Sequence, residues 1–170
     1  MTLATLAVLV LTGFSPASLA AQDLVEVVSE PTGTELSTLT VLERWRSDPG
    51  TIFDASEINM TDLVYVARPV IVFADSPADP LFDRQIALLN ADLSGLALRD
   101  VIIIADTDPA ARSVVRQEYR PRGFTLLLID RDGRITQRKP APWDVRELTR
   151  AIDKTPSRLQ DIRETGALPR

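Results

Sequence analysis

The sequence has no cysteine and no histidine in 170 residues. The first absence excludes disulfide exchange, thiol peroxidase chemistry, iron–sulfur clusters and thiolate zinc sites, all of which need a thiolate. The second removes the commonest general base and the commonest metal ligand. Lysine is scarce too: Lys139 and Lys154 are the only two among 19 basic residues, and the rest are arginine. The bases are outnumbered by 24 acids, giving a net charge of −5. They form no cluster along the chain, which argues against nucleic acid or an anionic membrane surface as a partner. What the chain does have is the 45% hydrophobic and 25% charged content of an ordinary globular domain.

The N-terminal stretch differs from the rest. Residues 3–11 form an apolar run, Phe14-Ser15-Pro16 breaks it, and Ser18-Leu19-Ala20 supplies small residues before a cleavage point. This pattern predicts a secretory signal peptide over residues 1–20, cut after Ala20, and a periplasmic or secreted mature chain. The run is shorter than the roughly 20 residues a spanning helix needs, so no stable membrane insertion is expected. No cysteine follows it, which excludes a lipoprotein anchor. The alternative is an apolar first helix of the domain. Residues 21–50 read as an N-terminal extension. It opens with Leu24, Val25, Val27 and Val28 around Pro31 and Gly33. Leu36, Leu39, Leu42 and Trp45 then recur at helical spacing, predicting an amphipathic helix that ends before Asp48-Pro49-Gly50.

Residues 51–165 carry the core signal. Ile52 and Phe53 suggest a short strand, and Thr61 a capped helical turn. Residues 70–74 (Val-Ile-Val-Phe-Ala) and 101–105 (Val-Ile-Ile-Ile-Ala) are continuous runs of β-formers, the signature of strands covered on both faces. Phe82, Ile86, Leu89 and Leu93 keep a helical period between them, which makes a βαβ unit with a right-handed crossover. Asp108-Pro109 opens a second helix as N-cap and N1. Along it Ala111, Val114, Val115 and Tyr119 are expected to face the sheet. Residues 124–129 form a third strand, Asp130-Arg131-Asp132-Gly133 a hairpin turn, and residues 134–139 an edge strand. A helix over 143–152 and a last one opened by Thr155-Pro156 complete the chain. The order is β-α-β-α-β-β-α. It predicts an α/β, thioredoxin-like domain with a mixed sheet of four to five strands and helices on both faces.

Four blocks resemble one family. They are Arg68-Pro69-Val70-Ile71-Val72-Phe73-Ala74-Asp75-Ser76-Pro77, Arg99-Asp100-Val101, Gly123-Phe124-Thr125-Leu126-Leu127-Leu128-Ile129-Asp130 and Trp143-Asp144-Val145-Arg146. They are similar to secreted bacterial members of the domain-of-unknown-function family numbered 4174, which also occurs in animal extracellular-matrix proteins. The resemblance covers about residues 51–163. It implies a thioredoxin-like fold related to peroxiredoxins and no established activity. Thioredoxins place their reactive cysteines after the first core strand; here that stretch is Asp75-Ser76-Pro77-Ala78-Asp79-Pro80. Their cis-proline precedes a Thr-hydrophobic strand, and here Phe124 precedes Thr125.

Ligands of open α/β sheets bind beyond the carboxyl ends of the strands. That rule gathers Asp75, Ser76 and Asp79 from the first loop, Asp106, Thr107 and Asp108 from the second, and Arg122 and Phe124 from the third. The expected occupant of this edge is a protein or peptide of the cell envelope, bound without catalysis. The alternative is a cysteine-independent enzyme or a cation site using Asp75, Asp79, Asp106 and Asp108, since hard cations take oxygen ligands. Against both stands local capping: Asp108 and Asp106 for the second helix, Asp75 or Ser76 for the first. Arg112, Arg116 and Arg120, four residues apart, read as one solvated helix stripe. Trp45 and Trp143 read as core or seam residues. No motif calls for a cofactor, and none fixes the oligomeric state.

Overall fold

The computed structural model describes residues 39–166; the expected signal peptide, the leader and Leu36 lie outside the described residues. Helix α1 (Val41–Ser47) starts at a capping box: Thr40 Oγ1 accepts from the Glu43 backbone N–H while the Glu43 carboxylate takes the Thr40 N–H. Trp45 on α1 is buried and donates its indole N–H to Val101 O at 3.0 Å, so this helix packs on the sheet. Strand β1 (Ile52–Asp54) leads through a 3₁₀ turn (Ala55–Glu57) into α2 (Met60–Leu63). The cap of α2 is Asn59, whose side chain accepts from Thr61 N; Thr61, the expected cap, is already inside the helix.

Strand β2 (Arg68–Phe73) follows, then α3 (Pro80–Asn90), α4 (Leu93–Ala97) and β3 (Val101–Asp106). Asp79 caps α3, in place of Asp75 or Ser76, and Asp92 caps α4, splitting the expected single crossover helix in two. After β3 come a 3₁₀ turn (Pro109–Ala111), α5 (Val114–Tyr119), the hairpin β4 (Thr125–Ile129) and β5 (Ile135–Lys139), and two final helices. These are α6 (Val145–Ile152), capped by Asp144 with Trp143 outside it, and α7 (Pro156–Thr165), capped by Thr155.

The five strands form one sheet in the order β1-β3-β2-β4-β5. β2 lies parallel to β3, with Val70 opposite Ile103, as the two apolar runs predict. β4 is antiparallel to β2 and β5 antiparallel to β4. Side chains alternate across the strands. Val70, Val72, Ile103, Leu126 and Leu128 pack with Leu89, Leu96, Leu148 and Ile152 from α3, α4 and α6. Ile71, Phe73, Ile102, Ile104 and Leu127 pack with Trp45, Leu63 and Val115 from α1, α2 and α5. Both faces of β2 and β3 are thus dry, which is why these strands show no polar alternation. No helix among the described residues is long and apolar enough to cross a membrane.

One residue of β2 is charged. Arg68 opens the strand with 0% exposure. Its Nε donates to Asp130 Oδ1 (3.2 Å), Nη1 to Arg99 O (2.9 Å), and Nη2 to Ser157 Oγ (2.9 Å) and Asp161 Oδ2 (2.6 Å). The antiparallel register brings Asp130, the first hairpin residue, level with Arg68. Ser157 and Asp161 belong to α7, so the guanidinium ties that helix to the amino end of β2. Arg131 adds a second bridge by reaching both Asp100 and Asp161. Removing one partner of a buried ion pair leaves an uncompensated charge. Arg68→Met is therefore expected to lower unfolding free energy by about 3–5 kcal/mol in urea denaturation. Arg131→Met removes a more exposed guanidinium and should cost clearly less; equal costs would contradict this reading.

Candidate functional site

At the opposite end of β2 and β3 the first two expected loops are joined by a residue that the sequence places in the solvent. Arg116 is a helical residue of α5, with a side chain only 10% exposed. Its Nη2 donates to Ala74 O (2.6 Å) and Asp106 O (3.0 Å), capping the last carbonyls beyond β2 and on β3. Its Nε donates to Asp106 Oδ1 (2.9 Å), and Nη1 reaches Asp75 Oδ1 (3.3 Å). The guanidinium lies over the Phe73 ring, 5.6 Å from the centroid. Asp106 is itself buried, and its other oxygen accepts from Ser113 Oγ at 2.6 Å. Both carboxylate oxygens and every guanidinium nitrogen are therefore used.

The local sequence explains how Arg116 gets there. Asp108 caps only the 3₁₀ turn, accepting from Ala110 N, and Arg112 then takes a left-handed conformation (φ +49°). The chain re-enters a helix at Ser113, whose hydroxyl accepts from Arg116 N at 3.0 Å. Arg120, just before Pro121, ends α5 in a second left-handed residue (φ +46°). The expected continuous helix and its arginine stripe thus do not exist. Arg112 and Arg120 occupy breaks at either side of α5, and Arg116 alone turns inward. Val114, expected against the sheet, is 72% exposed, and only Val115 is buried.

The expected site residues divide accordingly. Asp106 and Phe124 are buried behind the edge. Asp75, Ser76, Asp108 and Arg122 are exposed on it, and Asp79 and Thr107 are partly buried. Ser76 Oγ accepts from Ala78 N, and Asp79 accepts from Leu81 N. Gly123 places the third loop beside the first: it has φ +58°, and a Cβ there would sit 4.0 Å from Asp75 Oδ2. The four carboxylates proposed for a cation do not converge on one point. Among the described residues no three carboxylates are grouped to hold a metal ion. Asp106 is taken by Arg116, while Asp79 and Asp108 turn to backbone N–H groups, so these four side chains do not form the expected cation site.

Sequence reasoning missed Arg116. The signal was Asp106 itself, an acid ending a fully apolar strand, which needs a cation or several donors once buried. Ser113, three residues before Arg116, was the second clue, because serine is a strong N-cap.

A parallel β1-β3-β2 core with β4 and β5 added antiparallel, flanked by helices on both faces, defines the thioredoxin-like class. The family model described as "Domain of unknown function (DUF4174)" matches residues 59–161, and the chain belongs to that family. No curated protein matches the sequence. Among solved structures it is similar to a thioredoxin peroxidase I of Plasmodium yoelii, at 14% identity and a TM-score of 0.45, over 66% of this chain and 83% of that one. It is also similar to a reduced 2-Cys peroxiredoxin of Plasmodium vivax, at 14% identity and a TM-score of 0.49, over 63% of this chain and 85% of that one.

Two outcomes follow from this geometry. Arg116→Met should destabilise the fold by about 3–5 kcal/mol, because Asp106 is left buried and unpaired. Asp75→Asn should cost no more than about 1 kcal/mol, because that carboxylate is mostly in water. Urea unfolding of the two variants decides; a cheap Arg116 substitution would contradict the assignment. The second concerns Tyr119, on the same helix, whose phenol is pushed up to about 12 by burial, with the Glu118 charge adding to it. A phenol with a raised pKa in the folded state stabilises the fold below the ordinary value near 10, and that contribution is lost as pH rises toward about 12. Tyr119→Phe should flatten the fall in stability across that window, as read by unfolding at stepped alkaline pH. An unchanged slope would contradict it.

Proposed function

We propose that this chain is an exported, non-catalytic module of the cell envelope. It binds a protein or peptide along the edge beyond β2 and β3 and carries out no thiol redox chemistry. The observation that carries the reading is the guanidinium of Arg116, seated where β2 and β3 end and bonded to Ala74, Asp75 and Asp106. The chain has no cysteine or histidine to place at the edge, and the buried carboxylate of Asp106 is held by Arg116 and Ser113. What this ion pair leaves is a braced rim of Asp75, Ser76, Asp108 and Arg122, all exposed. A fixed rim orders few groups on binding, which favours recognition. Export rests on the apolar run and small-residue site of residues 1–20.

Cross-linking in the envelope of an expressing cell, followed by mass spectrometry, tests both parts. The recovered protein should begin at Ala21 and carry one recurrent partner. Combining Asp75→Asn with Ser76→Tyr, at exposed positions outside the buried ion pair, should lose that partner while the protein stays folded. A protein retaining Met1 in the cytosol would contradict export, and a partner list untouched by the variant would contradict the edge.

A further inference from the structure

We propose that the outer edge of β5 is a second, independent recognition surface, which takes an extended acidic segment of another protein as an added antiparallel strand. β5 ends the sheet, and among the described residues no strand pairs with its outer side. Its backbone groups on that side are therefore a template for a further strand. The opposite edge, β1, offers only three residues before it turns into a 3₁₀ helix. β5 offers five, with its register irregularity confined to the Ile135 end and the stretch from Gln137 to Lys139 in regular pairing.

Charge selects the occupant. Residues 134–139 hold Arg134, Arg138 and Lys139 and no acid, in a chain whose net charge is −5. Arg138 Nη2 donates to Tyr119 O at 3.0 Å, which brings this strand beside the end of α5, where Arg120 is exposed. Two acids border the patch: Asp132 pairs with Arg134 at 3.4 Å, both well exposed, and Glu118 neighbours Tyr119. Neither enters the strand. A second copy of the chain would bring a second set of arginine and lysine to the same edge, and like charges brought together across a strand pair are destabilising. An acidic strand meets Arg138 on one face of the sheet or Lys139 on the other, and gains main-chain hydrogen bonds along the edge. Ile135, 44% exposed, and the partly buried Thr136 and Gln137 give such a strand apolar and polar contacts beside the charges.

Basic side chains on an edge strand also deter aggregation, so the experiment must separate deterrence from recognition. Amide hydrogen exchange of the mature protein is followed by NMR while a short synthetic peptide of alternating Glu and Val is added, with a Lys–Val peptide as control. Alternate amides of β5 should slow about tenfold with the Glu–Val peptide alone, and the effect should fade as salt rises. Combining Arg134→Glu with Arg138→Glu, which touches neither Asp75 nor Arg116, should abolish the protection and leave the fold intact. Three results would overturn the proposal: no protection of β5 at saturating peptide, equal protection by both peptides, or protection that grows with protein concentration in the absence of peptide. Any of these leaves the Asp75 edge untouched, because the envelope partner of that edge is tested by other residues.

Discussion

One guanidinium holds together the end of the sheet where β2 and β3 finish. Arg116 joins the carbonyl after β2, the last residue of β3 and the loop acid Asp75, all from a six-residue helix between two left-handed residues. Without it, Asp106 is a charge at the end of a dry strand with one serine hydroxyl for company. The cost of desolvating such a pair is recovered only when geometry is good and the remaining lone pairs are filled. Here each Asp106 oxygen accepts a hydrogen bond and each guanidinium nitrogen donates at least one. The pairing that stabilises the edge thus engages both Asp106 oxygens and all three guanidinium nitrogens within the protein.

A second buried arginine performs the matching task at the other end of the sheet. Arg68 ties β2 to the β4–β5 turn through Asp130 and to α7 through Asp161 and Ser157. Three of the four blocks that carry the family resemblance meet there: Arg68 from the first, Arg99 and Asp100 from the second, and Asp130 from the third. In this chain those blocks describe an ionic seam that closes the fold. The same blocks also reach the other end of the sheet, where the first supplies Asp75 and Ser76 and the third Gly123.

Much of the fold was legible because apolar runs and turn signals are local. Residues 70–74 and 101–105 announced covered parallel strands, and Asp130 to Gly133 announced the hairpin, with no knowledge of their neighbours. The helix boundaries were harder. Asp79, Asp92, Asp108 and Ser113 each compete with nearby polar residues for capping, and only the backbone decides which one wins. The site was least legible of all. Arg116 sits at helical spacing from Arg112 and Arg120, a pattern that reads as a solvated stripe. That reading assumes an unbroken helix, and both flanking arginines lie in left-handed breaks. Long-range ion pairs such as Arg68 with Asp130, 62 residues apart, leave no periodic trace.

The claim on which the functional reading turns is that the Arg116 side chain is fixed in place between β2 and β3. Nitrogen-15 relaxation at its Nε–H group measures this directly. A locked guanidinium should show an order parameter near that of rigid backbone, about 0.85, whereas a value below about 0.6 would mean a mobile cation available to ligands and would contradict the account.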